Sequence, residues 1–397
     1  MNPVLALGLT QIVGYGSLYY AFPILAPAVG QTFDRPESHL YAVFSVGLLI
    51  GGLGAPVAGR LMDRFGAARL MAGGSVCATL CLLLIGMAPS FPVWAAGVIL
   101  TEIIAVAILY DAAFAALSQL RGAEARRAIT RLTLIAGFAS TVFWPLAETL
   151  RDQIGWRATY LVFAGLHATV GLGLHLWLAR QKPVVVPLTQ ATRPAAPEAP
   201  SLPPEWTGPA FRAVALSFAL SAALISGFGV HMVPVLTASG LAERATLAAM
   251  LVGPAQVAIR LIDAVFFARL HPLTVAAISA LALPLSVTGL VLGLAPWAAG
   301  ILFATLFGVG QGLASIVRGT VPLVLFGREG YATRLGQLAL LRTFTTAGAP
   351  FVFAAAGAAL GWIPALWIFA AMGVVAALPL LRLRARLGRE GLLAPLR

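Results

Sequence analysis

Charge is scarce in this sequence. Of 397 residues only 10% are Asp, Glu, Lys or Arg, against roughly 25% in a soluble domain. Lysine occurs once, at Lys182, and the acidic residues number 14 against 26 basic ones. A water-facing surface cannot be assembled from that stock, so the main solvent must be lipid. Cysteine is nearly absent. Cys77 and Cys81 lie one helical turn apart in an apolar run; a disulfide there is geometrically poor, and packing is their expected role. Also missing are His-Glu-x-x-His, Gly-x-Ser-x-Gly and any Cys/His cluster, so the sequence offers no enzyme, metal site or cofactor. No Gly-x-x-x-x-Gly-Lys run exists to bind ATP. The net charge of +12 forms no basic face with interleaved aromatics, which argues against nucleic acid. Its arginines are spread through short loops, as the positive-inside rule expects.

What the chain has instead is apolar sequence, 60% of the whole. The runs are continuous and reach about 20 residues, the length of a membrane-crossing helix. Barrel strands would alternate over about 10 residues. The N-terminal run is too long for a signal peptide and lacks its basic start and cleavage site, so it is read as the first span. Six spans are expected at about 3–29, 40–58, 69–87, 93–117, 129–150 and 158–178. A Pro-rich interruption follows, and then six more at about 209–236, 245–268, 273–294, 297–326, 335–360 and 363–381. The expected fold is therefore an all-α membrane protein with 12 transmembrane helices in two pseudo-symmetric halves. Residues 1–180 form the first bundle, 181–208 an extended linker, and 209–397 the second bundle with a basic tail.

Internal repetition supports two halves. Val57-Ala58-x-Arg60-Leu61-x-Asp63 returns as Val257-Ala258-x-Arg260-Leu261-x-Asp263, and Ala68-Arg69-Leu70 as Ala268-Arg269-Leu270, all at one offset of 200 positions. Gly155-Trp156 with Phe163-Ala164 returns as Gly361-Trp362 with Phe369-Ala370. Such repeats are a mark of transporter folds. Loops holding Arg64, Arg69, Arg121, Arg126, Arg127, Arg180, Lys182, Arg193, Arg269, Arg328 and Arg334 outweigh the opposite set, which holds Arg35, Arg151, Arg157 and Arg244. The first set, the linker and both termini are expected in the cytoplasm. Compact loops and arginine in place of lysine point to a bacterial inner membrane.

The turn after the second span reads Gly59-Arg60-Leu-Met-Asp63-Arg64-Phe-Gly66-Ala-Ala-Arg69. It resembles the signature loop of the major facilitator superfamily, Gly-x-x-x-Asp-Arg-x-Gly followed by basic residues. Gly59, Asp63, Arg64, Gly66 and Arg69 match it, while Ala67 and Ala68 depart from the basic run. The resemblance implies the family's two-bundle fold over the whole chain and a latch at this loop that holds the outward-open state. In physical terms, Gly59 permits close helix approach and Asp63 can cap a helix N-terminus. A loop that merely fixes topology is the competing reading. Arg260 and Asp263, at the matching place in the second half, are expected to pair at the same gate.

Charged groups in hydrocarbon cost at least about 2.5–3.5 kcal/mol each, so those inside spans need a reason. A carboxyl can shed that cost by taking up a proton, which makes Glu102 and Asp111, in the fourth span, candidates for proton coupling. Arg318 and Arg342 are candidates for solute contact; pairing with Asp111, or reaching to headgroups, competes. Gln11, Tyr15 and Tyr19 recur every four residues on one face of the first span, which suits a cavity lining or a polar seam between helices. Trp144, His231, Gln256 and Gln311 complete the candidate solute site. Gly308-Val-Gly310-Gln311-Gly312 follows no strand, so close helix packing rather than nucleotide binding is expected. His167 and His175 are read as structural.

Together these features imply a secondary active transporter, acting as a monomer, that moves a small solute by alternating access. Protons fit as the coupling ion, with sodium open. Arginines short of acidic partners favour a small organic anion such as a carboxylate. The alternative is proton-antiport efflux of apolar or cationic compounds, with Glu102, Asp111, Tyr15, Tyr19 and Trp144 forming the site.

Overall fold

The computed structural model describes residues 2–182, 202–267 and 270–393, with the Glu243 side chain excepted. Most of the linker, Arg193 within it, and the repeated Ala268-Arg269 lie outside the described residues. Helix is the regular structure found among the described residues, as lipid demands of a chain that must satisfy its own backbone. The helices are α1 (Pro3–Tyr15), α2 (Phe22–Phe33), α3 (Glu37–Phe65), α4 (Ala67–Gly86), α5 (Phe91–Ala105), α6 (Tyr110–Arg121), α7 (Ala125–Ala136), α8 (Ala139–Leu166) and α9 (Leu172–Ala179). Then come α10 (Pro204–Leu236), α11 (Ala245–Met250), α12 (Val252–Val265), α13 (Pro272–Ser286), α14 (Thr288–Val291), α15 (Pro296–Phe326), α16 (Tyr331–Leu360) and α17 (Trp362–Arg389). Ten segments among the described residues are long and apolar enough to cross a membrane. One of them, Phe91–Ala179, is 89 residues long, about four times what a single crossing needs.

That segment is interrupted at Gly155, whose φ of 77° and ψ of 164° split α8. Its repeat partner Gly361 caps α17 at φ 85° and ψ 160°. Both glycines hold a positive φ that a side chain would resist, and both are followed by tryptophan. The repeat seen in the sequence is thus a repeat of backbone conformation.

The chain divides into two compact units, Met1–Glu198 with Arg328–Leu340, and Ala199–Gly327 with Leu341–Arg397. In the first, Phe22, Trp94, Phe143, Tyr160 and Phe163 form the core. In the second, Phe228 is fully buried among Phe303, Phe307, Phe353 and Phe369, with ring centroids 5.2–6.0 Å away. Lipid tails are as apolar as these side chains, so close packing rather than water exclusion holds the helices together. Each such aromatic pair adds about 0.5–1.5 kcal/mol. The glycines of α15 serve the same end. Gly308 lies on Ala255 and Val252, Gly310 on Leu283, and Gly312 on Ile259 and Gln256, all too close for a methyl group.

The expected continuous fourth span is broken. The chain leaves the helix at Val106 and re-enters at Tyr110, with Leu109 extended at φ −86° and ψ −162°. Neither Gly nor Pro occurs in the break. At the break the amide of Gln11, from the first span, donates to the Ile108 carbonyl at 2.8 Å. The first span also carries a π-helical stretch, Gly16–Tyr20, and the sixth another, His167–Gly171. Cys77 is exposed and Cys81 buried, and both are free thiols.

Candidate functional site

The basic turn after the second span becomes a clamp. Asp63, at the end of α3, accepts from the Ala332 amide (3.2 Å), the Thr333 amide (2.8 Å) and the Thr333 hydroxyl (2.6 Å). It therefore caps the first turn of α16, where unpaired N–H groups and the helix dipole favour an anion. The approach depends on two glycines. A Cβ on Gly59 would strike the Ala332 carbonyl oxygen, and one on Gly336 the Ala55 carbonyl oxygen. Gln119 braces the turn from α6, accepting from the Ala67 amide at 2.9 Å and donating to the Met62 carbonyl at 3.1 Å. Gly66 turns the chain at φ 91°. Arg60, Arg64 and Arg69 are exposed, with Arg64 over the Phe65 ring.

Gln11 takes the seam rather than the cavity. It is fully buried and holds the broken fourth span. One turn on, Tyr15 packs on Tyr110 (4.7 Å between centroids) and Tyr20 (6.4 Å). Tyr19, 44% exposed, meets Tyr20 and Phe44, and Trp144, 50% exposed, meets Tyr20 edge-on at 6.0 Å. These rings form one aromatic wall within the first unit. Glu102 is 5% exposed. Gly47 and Gly51 of α3 lie directly on it, Gly47 on its Cβ and Cγ and Gly51 on its carbonyl. A cavity of about 10 Å³ opens beside it, lined among others by Ser17, Thr101, Glu102 and Tyr160. Asp111 is half-buried in the first turn of α6.

In the second unit Gln256 donates to Gln311 at 2.7 Å, joining the middle of α12 to the middle of α15. Arg260, 8% exposed, stands one turn along. Its pairing with Asp263, expected from the sequence, is not formed. The guanidinium turns instead to the Gln256 amide oxygen at 3.4 Å and the Gly312 carbonyl at 3.5 Å. Gln256 lies a turn back on the same face and Gly312 offers a carbonyl across the α12–α15 seam, while Asp263, three residues on, keeps interactions of its own. Asp263 is buried at 5%. Arg318 and Arg342 are half-buried on α15 and α16. His231 bonds back to the Gly227 carbonyl at 3.0 Å and packs on Phe353 and Trp362, the arrangement of a packing residue.

Sequence reasoning did not find Thr333, 270 positions from the aspartate it binds, nor Gln119, Tyr20 or Tyr110. It also left Ser17 and Ser75 unremarked. Tyr20 and Tyr110 lie beside expected site residues, and adjacency was the available signal; the others had none.

No curated protein sequence matches the chain. Two solved structures share its fold over nearly their whole length. The human organic anion transporter MFSD10 (TETRAN) aligns at a TM-score of 0.69 and 16% identity, over 95% of this chain and 98% of that one. The proton:xylose symporter XylE, bound to 6-bromo-6-deoxy-D-glucose, aligns at 0.64 and 13% identity, over 94% of each. The sequence profile of the Major Facilitator Superfamily matches residues 7–336. With its helical bundles, its Asp63 clamp and that match across most of its length, this chain belongs to the major facilitator superfamily and is a multi-pass membrane protein of the transporter fold.

Proposed function

We propose that the chain is a proton-coupled secondary transporter of a small organic anion, working by alternating access. The observation that carries the anion reading is Arg260. It is buried in a membrane-spanning helix, and its hydrogen-bond acceptors among the described residues are one amide and one carbonyl oxygen, both at long range. A buried guanidinium held this loosely by neutral groups is suited to a carboxylate, which it would bind through two parallel hydrogen bonds. Gln256 and Gln311 would orient the same group. Arg318 and Arg342 are further candidates for solute contact, Glu102 and Asp111 for the proton, and the Asp63 clamp with Arg60, Arg64 and Arg69 for the gate. The termini are proposed to face the cytoplasm of a bacterial cell, and the working form to be a monomer. MFSD10 is described as an organic anion transporter and XylE as a proton symporter; at their low identity they lend the fold, and Arg260 supplies the argument for an anion.

The test is uptake of radiolabelled mono- and dicarboxylates into proteoliposomes under an imposed pH gradient. Losing a charge-assisted contact worth about 1.5–3 kcal/mol lowers apparent affinity at least tenfold in Arg260→Gln, with partial rescue in Arg260→Lys. Equal flux and affinity in wild type and Arg260→Gln would refute the anion reading. The aromatic wall of Tyr15, Tyr19, Tyr20 and Trp144 favours a second reading, export of planar cations. Loss of ethidium export in Glu102→Gln, with no carboxylate transport in wild type, would select it.

A further inference from the structure

Apart from the residues assigned above to solute, coupling and gate, the first unit encloses a line of polar groups. His167 and His175 of the sixth span are each 2% exposed, although a buried imidazole has no packing advantage over an apolar ring. His167 Nε2 lies 2.9 Å from Ser17 Oγ, and His175 Nδ1 lies 2.7 Å from Ser75 Oγ. Ser17 and Ser75 are buried at 2% and 0%. The Ser17 hydroxyl donates to the Val13 carbonyl at 2.7 Å. With that hydrogen on the Val13 carbonyl, His167 is assigned as the donor from Nε2, with its lone pair on Nδ1. That Nδ1 has no hydrogen-bond partner among the described residues, and neither has His175 Nε2.

The two histidine–serine pairs meet at Gly171. A methyl group built there would lie 3.3 Å from Ser75 Oγ and 3.6 Å from His167 Nδ1. The missing side chain leaves a small notch with both polar atoms on its rim. At the other end, Ser17 lines the same cavity as Glu102 and Tyr160, and its volume of about 10 Å³ is at the lower limit for one water. The π-helical stretches Gly16–Tyr20 and His167–Gly171 hold Ser17 and His167 face to face, and such bulges recur at functional sites.

We propose that these groups form a proton path inside the first unit, running from His175 through Ser75, the Gly171 notch, His167 and Ser17 to Glu102. It rests on the coupling role proposed for Glu102. His175, taking a proton at Nε2, passes its Nδ1 proton to Ser75 as the Ser75 hydroxyl releases its own across the notch to His167 Nδ1. His167 Nε2 in turn releases its proton to Ser17. The serine proton then turns from the Val13 carbonyl to water in the cavity, and that water gives one proton to the Glu102 carboxylate. His167 is left as its other tautomer, and the reverse transfers restore it when Glu102 gives its proton back along the same line.

The experiment is a pH jump on purified full-length protein in detergent, followed by time-resolved infrared absorption of the protonated carboxyl C=O band. The band is assigned to Glu102 by its loss in Glu102→Gln. His167→Gln keeps a hydrogen bond to Ser17 without a titrating ring, and Gly171→Ala fills the notch at near van der Waals distance. Both should keep wild-type thermal stability while slowing Glu102 equilibration at least tenfold, and His175→Gln should do the same. A Glu102 band that titrates with wild-type rates in all three variants would overturn the path and leave the coupling role standing. Absence of any titrating band removed by Glu102→Gln would overturn the coupling role and the path with it.

Discussion

Replacing Asp63 with alanine should release the first turn of α16 from the first unit. Three hydrogen bonds end on this carboxylate, two from backbone amides and one from a hydroxyl. A capping side chain is worth about 0.5–2 kcal/mol, and an anion at a helix N-terminus adds about 0.3–1 kcal/mol. Asp63 and Thr333 are exposed, so water compensates part of the loss and the lower halves of these ranges apply. A net cost of about 1.4 kcal/mol corresponds to roughly a tenfold change in an equilibrium constant. Hydrogen exchange at the Ala332 and Thr333 amides should therefore accelerate about tenfold in Asp63→Ala. Asp63→Asn keeps one neutral acceptor and should accelerate exchange less. Thr333→Val loses only the hydroxyl contact and should fall nearest wild type. Amides in the α3 core should not respond in any of the three. Unchanged exchange at residues 332 and 333 in Asp63→Ala would show that the glycine contacts alone hold the segment and that the carboxylate is not the clamp.

Gly336→Ala should lower the thermal unfolding midpoint in detergent, because the new methyl meets the Ala55 carbonyl and Pro56 Cα, at 2.9 Å for the latter, an overpacking worth about 1–3 kcal/mol. Gly348→Ala on the same helix meets nothing within 4 Å and should leave the midpoint unchanged or raise it; equal behaviour of the two would refute the close-approach argument. Gln11→Leu removes the donor to Ile108 O and strands a buried carbonyl, about 1–3 kcal/mol. A fall of several degrees in the midpoint is expected, and a midpoint as high as wild type would mean that the break in the fourth span does not need Gln11.

How much of this was legible in the sequence differs by residue. The apolar runs and the 59–69 turn stood out because the physics behind them is local, a span length and a short basic turn. The Gly155 and Gly361 repeat was equally plain, and both glycines hold the same positive φ. Asp63 was recognisable as a cap, but its partner was not, since nothing marks Thr333 until the fold brings it close. Arg260 is the repeat mate of Arg60, yet Arg60 is exposed and Arg260 buried beside Gln256. Identical residues in two halves face different neighbours, and the neighbours set the role. The interruption at residues 106–109 gave no sign at all. It lacks the residues that usually break helices, and the amide that meets its Ile108 carbonyl comes from almost a hundred positions away.

That interruption has a mechanical consequence. A continuous helix is a stiff rod that carries twist from one end to the other through its ladder of internal bonds. The fourth span leaves the regular ladder between Ala105 and Tyr110, where turn bonds from Ala107, Ile108 and Leu109 back to Ile104 and Ala105 remain, so Glu102 on α5 and Asp111 on α6 lie on helices joined by a looser turn. Rotation of one acid is transmitted to the other only in part, and the bond from Gln11 to Ile108 steadies the joint.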